Sequence, residues 1–211
     1  HLLLGLLPAQ QGQVWVMGQQ HGAYTRRELS QLVGLVPQDE HVTFELSVLE
    51  YALLGRAPHL GLLDLPQPAD RALALEALQT TGIAALAQRA VTSLSGGEKQ
   101  LATVARALTQ EPRILLLDEP TSHLDLANAR RILGVLRALR DGGRTMVLTT
   151  HDPNAAASVA DEVILLREGR VLAAGPTAKV LTSDYLSATY GVPVEVVVVH
   201  GRPLVLPWTE S

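Results

Sequence analysis

The sequence predicts an α/β domain built on a parallel sheet. Two short, continuously apolar runs, Arg113–Leu117 and Thr145–Thr150, read as strands buried on both faces. Between them Leu126, Ala129, Leu133 and Leu136 recur at helical spacing, and that helix stops at Asp141-Gly142-Gly143. Strand and helix in alternation favour parallel pairing through crossovers.

Bulk properties agree with a folded α/β chain and exclude several functions. Hydrophobic residues make up 47% and charged residues 18% of the 211, enough to bury a core. Net charge is 17 − 21 = −4 with no block of five or more like charges, so charge does not suggest nucleic-acid binding. The absence of cysteine removes disulfides, thiolate metal sites and thiol catalysis together. No apolar run approaches the roughly 18–20 residues that cross a bilayer. Membrane association is therefore expected through a protein partner.

The elements follow in order. His1-Leu-Leu-Leu-Gly-Leu-Leu7 reads as an apolar helix without a cap or a preceding strand, so the chain is expected to be N-terminally truncated. Gln13–Met17 and Leu32–Val36 read as strands, with a short polar helix around Arg26–Gln31 between them. Ser47 to Gln110 is mostly helical, with a Pro-rich loop at Gly61–Ala69 and a helix over Asp70–Thr81 that stops at Gly82. After the strand ending at Thr150, a helix runs from about Pro153 to Ala160. Val163–Arg167 with Val171–Ala174, and Val194–Val199 with Leu204–Leu206, read as hairpins.

The strongest chemical motif is Leu94-Ser95-Gly96-Gly97-Glu98-Lys99-Gln100, opening a helix with the apolar stripe Leu101, Val104, Ala105 and Leu108. Glycines allow close backbone approach, and the helix N-terminus turns N–H groups and partial positive charge toward an anion. Alone, the same residues are an ordinary capped helix start. Next, Ile114-Leu115-Leu116-Leu117-Asp118-Glu119-Pro120 ends an apolar strand in two carboxylates, where open α/β sheets bind ligands. Asp118 suits Mg²⁺, and Glu119 suits a general base polarising water. Ser122-His123-Leu124-Asp125 precedes a helix that Asp125 can cap. His151 follows the strand Thr145–Thr150, and Gln38 follows the earlier strand Leu32–Val36, where it could reach Mg²⁺ or the attacking water.

In this order the motifs resemble the ABC ATPase family: Gln38 as Q-loop, Leu94–Gln100 as signature, Ile114–Pro120 as Walker B, Ser122–Asp125 as D-loop and His151 as switch histidine. The resemblance implies an ABC-type P-loop ATPase domain with a RecA-like parallel sheet core, an antiparallel β subdomain, and an α-helical subdomain over about residues 40–110. The hairpin at about 194–206 follows these. It implies a dimer sandwiching ATP and Mg²⁺, in which Ser95, Gly96 and Gly97 face a nucleotide held by the second subunit. Asp125 would lie near that interface, and Gln38 and Asp118 would serve Mg²⁺. Glu119 would be the base and His151 the holder of γ-phosphate and water. Two departures stand out. Glu98 replaces a common Gln, and no G-x-x-x-x-G-K-[ST] occurs in the 211 residues. By itself the polypeptide is expected to be inactive.

Val48-Leu-Glu-Tyr-Ala-Leu-Leu-Gly-Arg-Ala-Pro58 further resembles importers of metal chelates and molybdate. That implies a peripheral subunit on the cytoplasmic face of the cell membrane. Its partners would be an integral permease and, indirectly, a periplasmic or surface substrate-binding protein. Within Phe44–Pro58, Val48 and Leu54 are expected in the core, and Phe44, Tyr51 and Arg56 against the permease. The alternatives are a non-hydrolysing ABC subunit and an ABC-class ATPase acting on nucleic acid, against which the charge and the single motif set argue.

Overall fold

A three-stranded parallel sheet, in the order β3-β4-β5, positions the candidate site. In this computed structural model, which describes residues 2–40 and 42–206, the chain runs as follows. A small antiparallel pair, β1 (Trp15–Val16) and β2 (Gln19–Gln20), precedes α1 (Arg26–Leu32) and β3 (Val33–Val36). Then come α2 (Val48–Leu53), a 3-10 turn over Leu54–His59, α3 (Pro68–Thr80), α4 (Gly96–Thr109) and β4 (Ile114–Asp118). α5 (Leu126–Asp141), β5 (Thr145–Thr149), α6 (Pro153–Val159), β6 (Glu162–Arg167) and β7 (Arg170–Pro176) follow. The order ends with α7 (Thr177–Val180), α8 (Ser183–Tyr190), β8 (Glu195–Val199) and β9 (Arg202–Leu206). The fold is α/β, as expected.

The described residues form two units, one of residues up to 135 with 139–149, the other of 136–138 with the residues from 150 onward. In the first, Val16, Leu29, Val33 and Leu116 form a core cluster that ties β1 and α1 to the sheet. β4 is the middle strand, with Leu115, Leu116 and Leu117 all buried. In the second, Leu165, Val180, Leu181, Leu186 and Val205 pack the two hairpins β6-β7 and β8-β9 against α7 and α8.

Several elements differ from the sequence reading. Residues 2–7 form turns and bends rather than a helix, with Gly5 at φ +69°. The strand expected over Gln13–Met17 shrinks to two residues, because Met17 and Gly18 both adopt positive φ and reverse the chain. β5 is not buried on both faces: it ends the described sheet, and Val147 is 48% exposed. In α5 the buried stripe is Ile132, Leu136 and Leu139, while Leu126 lies 78% exposed at the first turn. α3 starts two residues earlier than expected. Pro68 suits the first turn, where its missing N–H costs nothing, and the Gln67 N–H donates to Asp70 Oδ2 at 2.8 Å.

The helices between β3 and β4 pack around α4, where Leu101, Val104, Ala105 and Leu108 are buried as expected, together with Ala102 and Ala107. Closeness there is set by Gly55: a Cβ on it would stand 2.1 Å from the Arg106 carbonyl oxygen. Arg56 is 9% exposed, which overturns its expected place at a permease surface. Its guanidinium pairs with Asp70 Oδ1 at 2.8 Å and Glu111 Oε2 at 2.9 Å, and donates to the Thr109 carbonyl at 3.1 Å. The Gln67 N–H first, and the Arg56 guanidinium second, hold the Asp70 carboxyl below the usual range. Pro58 accepts a hydrogen bond from Gln31 at 2.9 Å, and His59 shares one with the Gln110 carbonyl at 2.9 Å. Gly-Arg-x-Pro is thus a staple between α4, α3 and α1.

Tyr51 is likewise buried, at 2% exposure, so it too is removed from the expected contact surface. Leu54, expected in the core, is 50% exposed, and Phe44 is 73% exposed. The reason is helical phase: Val48, Leu49, Tyr51 and Ala52 form the inner face of α2, so Leu54 begins the next turn outside it.

These contacts predict opposite outcomes for two Gly→Ala changes. Gly55→Ala should destabilise the chain by about 1–3 kcal/mol, the cost of forcing helices apart. Gly134→Ala, in α5 with nothing within 4 Å of the new Cβ, should stabilise it by about 0.5–1 kcal/mol. Urea-unfolding midpoints of the two variants check both signs.

Candidate functional site

The parallel register brings three strand ends level. Val36 of β3 stands beside Leu117 of β4, and Asp118 stands beside Thr149 of β5. Gln38, half-buried, follows β3 at this end, and Asp118 and Glu119 leave β4 there. All three sequence-predicted residues therefore share one edge of the sheet, the position at which such sheets bind ligands.

Thr149, which the motif reading passed over, organises the two acids. Its Oγ1 donates to Asp118 Oδ1 at 2.6 Å and accepts the Glu119 N–H at 3.1 Å, and its carbonyl lies 3.2 Å from the same N–H. Glu119 sits at φ +43°, in the left-handed region that a non-glycine residue occupies only when its surroundings impose it. The turn is closed by the Ser122 N–H donating to the Glu119 carbonyl at 3.0 Å. The chain thus swings Glu119 out of the strand's pleat while the strand still holds its amide. A threonine on the neighbouring strand was detectable in sequence only once the register was known.

The second cluster lies where α4 meets α5. Ser95 caps α4: its hydroxyl accepts the Glu98 N–H at 3.4 Å and donates to Glu98 Oε2 at 2.9 Å, and its own N–H donates to that carboxylate at 2.9 Å. Bonds from the Ser95 backbone first, then its hydroxyl, hold the Glu98 carboxyl below its ordinary range. The two glycines differ. A Cβ on Gly97 would come 2.3 Å from the Asn128 side chain, whereas Gly96 is exposed, and its nearest neighbour would be Leu124 Cδ2 at 3.9 Å. Asn128 is fixed by Asp125, which accepts its N–H at 2.8 Å and its side-chain amide at 2.9 Å. Asp125 does cap α5, as expected.

His151 lies in the second unit, exposed, two residues past the end of β5. Its carbonyl accepts the Tyr190 hydroxyl at 3.2 Å, and Asp152 caps α6 by accepting the Asn154 N–H at 2.8 Å. Burial, then the nearby Asp152, pushes the Tyr190 phenol up, so it remains a donor.

The donor set fits a hard cation and a phosphate. Asp118 is exposed, with Oδ1 engaged by Thr149 and Oδ2 without a protein donor among the described residues. Among the described residues no group of three His, Cys, Asp or Glu converges on one point. A Mg²⁺ at Asp118 would therefore take most of its ligands from water and phosphate, as Mg²⁺ ordinarily does. Ser122 Oγ and Gln100 Nε2 are buried without a partner among the described residues, one in the turn after Glu119 and one in α4.

Residues 1–122 match the ABC transporter family. The chain belongs to that family. It is 35% identical over 205 residues to the ferric enterobactin transport ATP-binding protein FepC of Escherichia coli (strain K12), covering 96% of this chain and 76% of FepC. It is 38% identical to the hemin import ATP-binding protein HmuV of Thermobifida fusca (strain YX), with 98% and 72% coverage. Among solved structures, a metal-chelate type ABC transporter in an inward-facing conformation aligns with TM-score 0.77 and 36% identity, covering 84% of this chain and 73% of that one. An ATP-binding cassette in its ADP conformation shares the fold, with TM-score 0.78 at 22% identity over 90% of this chain and 80% of that one.

The bridging hydroxyl yields a test in a subunit that hydrolyses ATP. Thr149→Val should lower kcat for ATP hydrolysis roughly tenfold or more, the worth of a hydrogen bond to a charged group, with little change in KM. Thr149→Ser should stay near the parent. Steady-state kinetics of the two variants separate the hydroxyl from the methyl.

Proposed function

We propose that this chain is the ATP-hydrolysing subunit of an ABC importer carrying a metal chelate or an oxyanion. The observation that carries the proposal is the pair Asp118-Glu119, presented at the strand end by Thr149 and by the left-handed turn. Relatives named for ferric enterobactin, hemin, molybdate and cobalamin support the substrate class.

In this reading Glu119 is the general base that takes a proton from the attacking water, and Thr149 keeps its backbone fixed while the carboxylate acts. Asp118 and Gln38 hold Mg²⁺, which when bound neutralises charge on the phosphates. His151 holds the γ-phosphate and water. Exposed Gly96 and the cap Ser95 turn the start of α4 toward the nucleotide of a second, identical subunit. Gly97 and Asp125 keep that start in place. No helix among the described residues is long and apolar enough to cross a membrane. The subunit is therefore proposed to sit peripherally at the cytoplasmic face, on an integral permease fed by a substrate-binding protein. Phe44 is the remaining sequence-predicted contact that is exposed.

In the full-length protein, Glu119→Gln should bind ATP nearly as the parent does but hydrolyse it roughly 10²–10⁴-fold more slowly, and His151→Ala should be similarly damaged. Parental turnover in Glu119→Gln removes the base assignment. The 211-residue polypeptide contains no G-x-x-x-x-G-K-[ST], so it should show no Mg²⁺-dependent turnover above background. Phe44→Glu should weaken co-purification with the permease without lowering the melting temperature, whereas Tyr51→Ala should lower it.

A further inference from the structure

Glu40 stands two residues past Gln38, in the irregular stretch that leads from β3 to α2. Its two carboxylate oxygens reach different helices. Oε2 accepts the Tyr51 hydroxyl of α2 at 2.6 Å, and Oε1 pairs with Arg106 Nη1 of α4 at 2.6 Å. The Tyr51 oxygen also lies 3.2 Å from Thr103 Oγ1 on α4, and the Arg106 guanidinium stands 5.2 Å from the centre of the Tyr51 ring. Burial, then the bond to Glu40, pushes the Tyr51 phenol well up, so it keeps the proton it donates.

A half-buried Glu–Arg pair is ordinarily just a structural staple, and Arg56–Asp70 is one. Placement separates Glu40 from that case. Among the described residues of 37–45, Glu40 is the one whose side chain makes a hydrogen bond or ion pair. Among the described residues of the loop bearing Gln38, this is the one side-chain polar anchor, and it is split between two helices. Arg106 lies on the helix whose first turn is Gly96-Gly97, and that helix is buried on most of its surface. With both side chains about a quarter exposed or less, the charges are only partly screened.

We propose that Glu40 is a positioning residue for ATP hydrolysis, clamping the Gln38 loop to α4 so that Gln38 and Ser95-Gly96-Gly97 shift together. The inference rests on the transporter reading for its catalytic consequence, but the clamp itself does not. Its chemistry is specific: an amide in place of the carboxylate can still offer its oxygen to Arg106 and its N–H₂ to the phenol oxygen, but it carries no charge, so the ion pair with Arg106 is lost.

The test uses the full-length subunit with Glu40→Gln, Arg106→Met and the double variant. In the first arm, amide hydrogen exchange is followed without nucleotide. Exchange across residues 38–46 should speed up in both single variants and no further in the double, while α5 peptides stay at the parental rate. In the second arm, permease-stimulated ATPase is measured. Each single variant should lose about three- to tenfold in kcat at unchanged KM for ATP, with the double no worse, because one interaction is removed twice. Parental exchange in Glu40→Gln, additive losses in the double variant, or a loss confined to KM would each overturn the clamp. Failure of the transporter reading shows differently, as a parent without permease-stimulated turnover, and the exchange arm still decides the role of Glu40.

Discussion

β4 is held on both edges in parallel register, by β3 through Val36 and Leu117 and by β5 through Asp118 and Thr149. That constraint decides where the chemistry sits, because parallel strands end together and their connections leave from one edge. Leu115, Leu116 and Leu117 are buried while Asp118 is exposed, so a one-residue slip of β4 toward its own start would draw a carboxylate into the buried sheet. Fixed register puts the Thr149 hydroxyl beside Asp118 rather than one residue away. It also lets the Glu119 amide return to β5 after the strand has formally ended. The positive φ at Glu119 costs on the order of 1–3 kcal/mol, and the bonds from its amide and carbonyl offset that cost locally.

The helical region depends on a second constraint, the close approach permitted by Gly55. With the Arg106 carbonyl where a Cβ would be, the turn after α2 lies directly on α4. Only then does the Arg56 guanidinium reach Asp70, Glu111 and the Thr109 carbonyl at once. Removing one partner from such a cluster leaves charge stranded away from water, which is costlier than the pair is stabilising. The packing and the ion cluster therefore enforce one another.

What the sequence made legible followed from local chemistry. β4, α4 and α5 were readable because each carries an apolar pattern with a marked end: two acids closing β4, a Ser-Gly-Gly opening α4, an Asp-Gly-Gly closing α5. Gln38, Asp118 and Glu119 were placed at one edge because parallel strands leave no other arrangement. Thr149 was not readable, since its role exists only across the β4–β5 ladder. Tyr51 and Arg56 were misassigned because aromatic and guanidinium side chains suit both interfaces and buried polar clusters. Their partners Glu40, Thr103, Asp70 and Glu111 are spread over about 70 residues of chain. Residues 2–7 failed for another reason. An apolar run without a periodic polar face gives no helical phase, and Gly5 breaks it at positive φ.

The two adjacent glycines at the start of α4 show why a motif is more than its letters. At Gly97 a side chain is excluded by Asn128, which Asp125 fixes from the beginning of α5, so this glycine answers to packing. At Gly96 the space stays open to within 3.9 Å of Leu124, so nothing inside the described chain demands the absence of a side chain there. In the proposed function it is the approach of a phosphate to that face that Gly96 leaves open, since a helix start turns backbone N–H groups and partial positive charge outward. Ser95 does not compete for that role with its proton, which is spent on Glu98. The carboxylate of Glu98 lies close by, so the field at the helix start is weaker than the dipole alone would give. An anion arriving there gains most from the backbone of Gly96, where the chain offers N–H groups and no obstructing side chain.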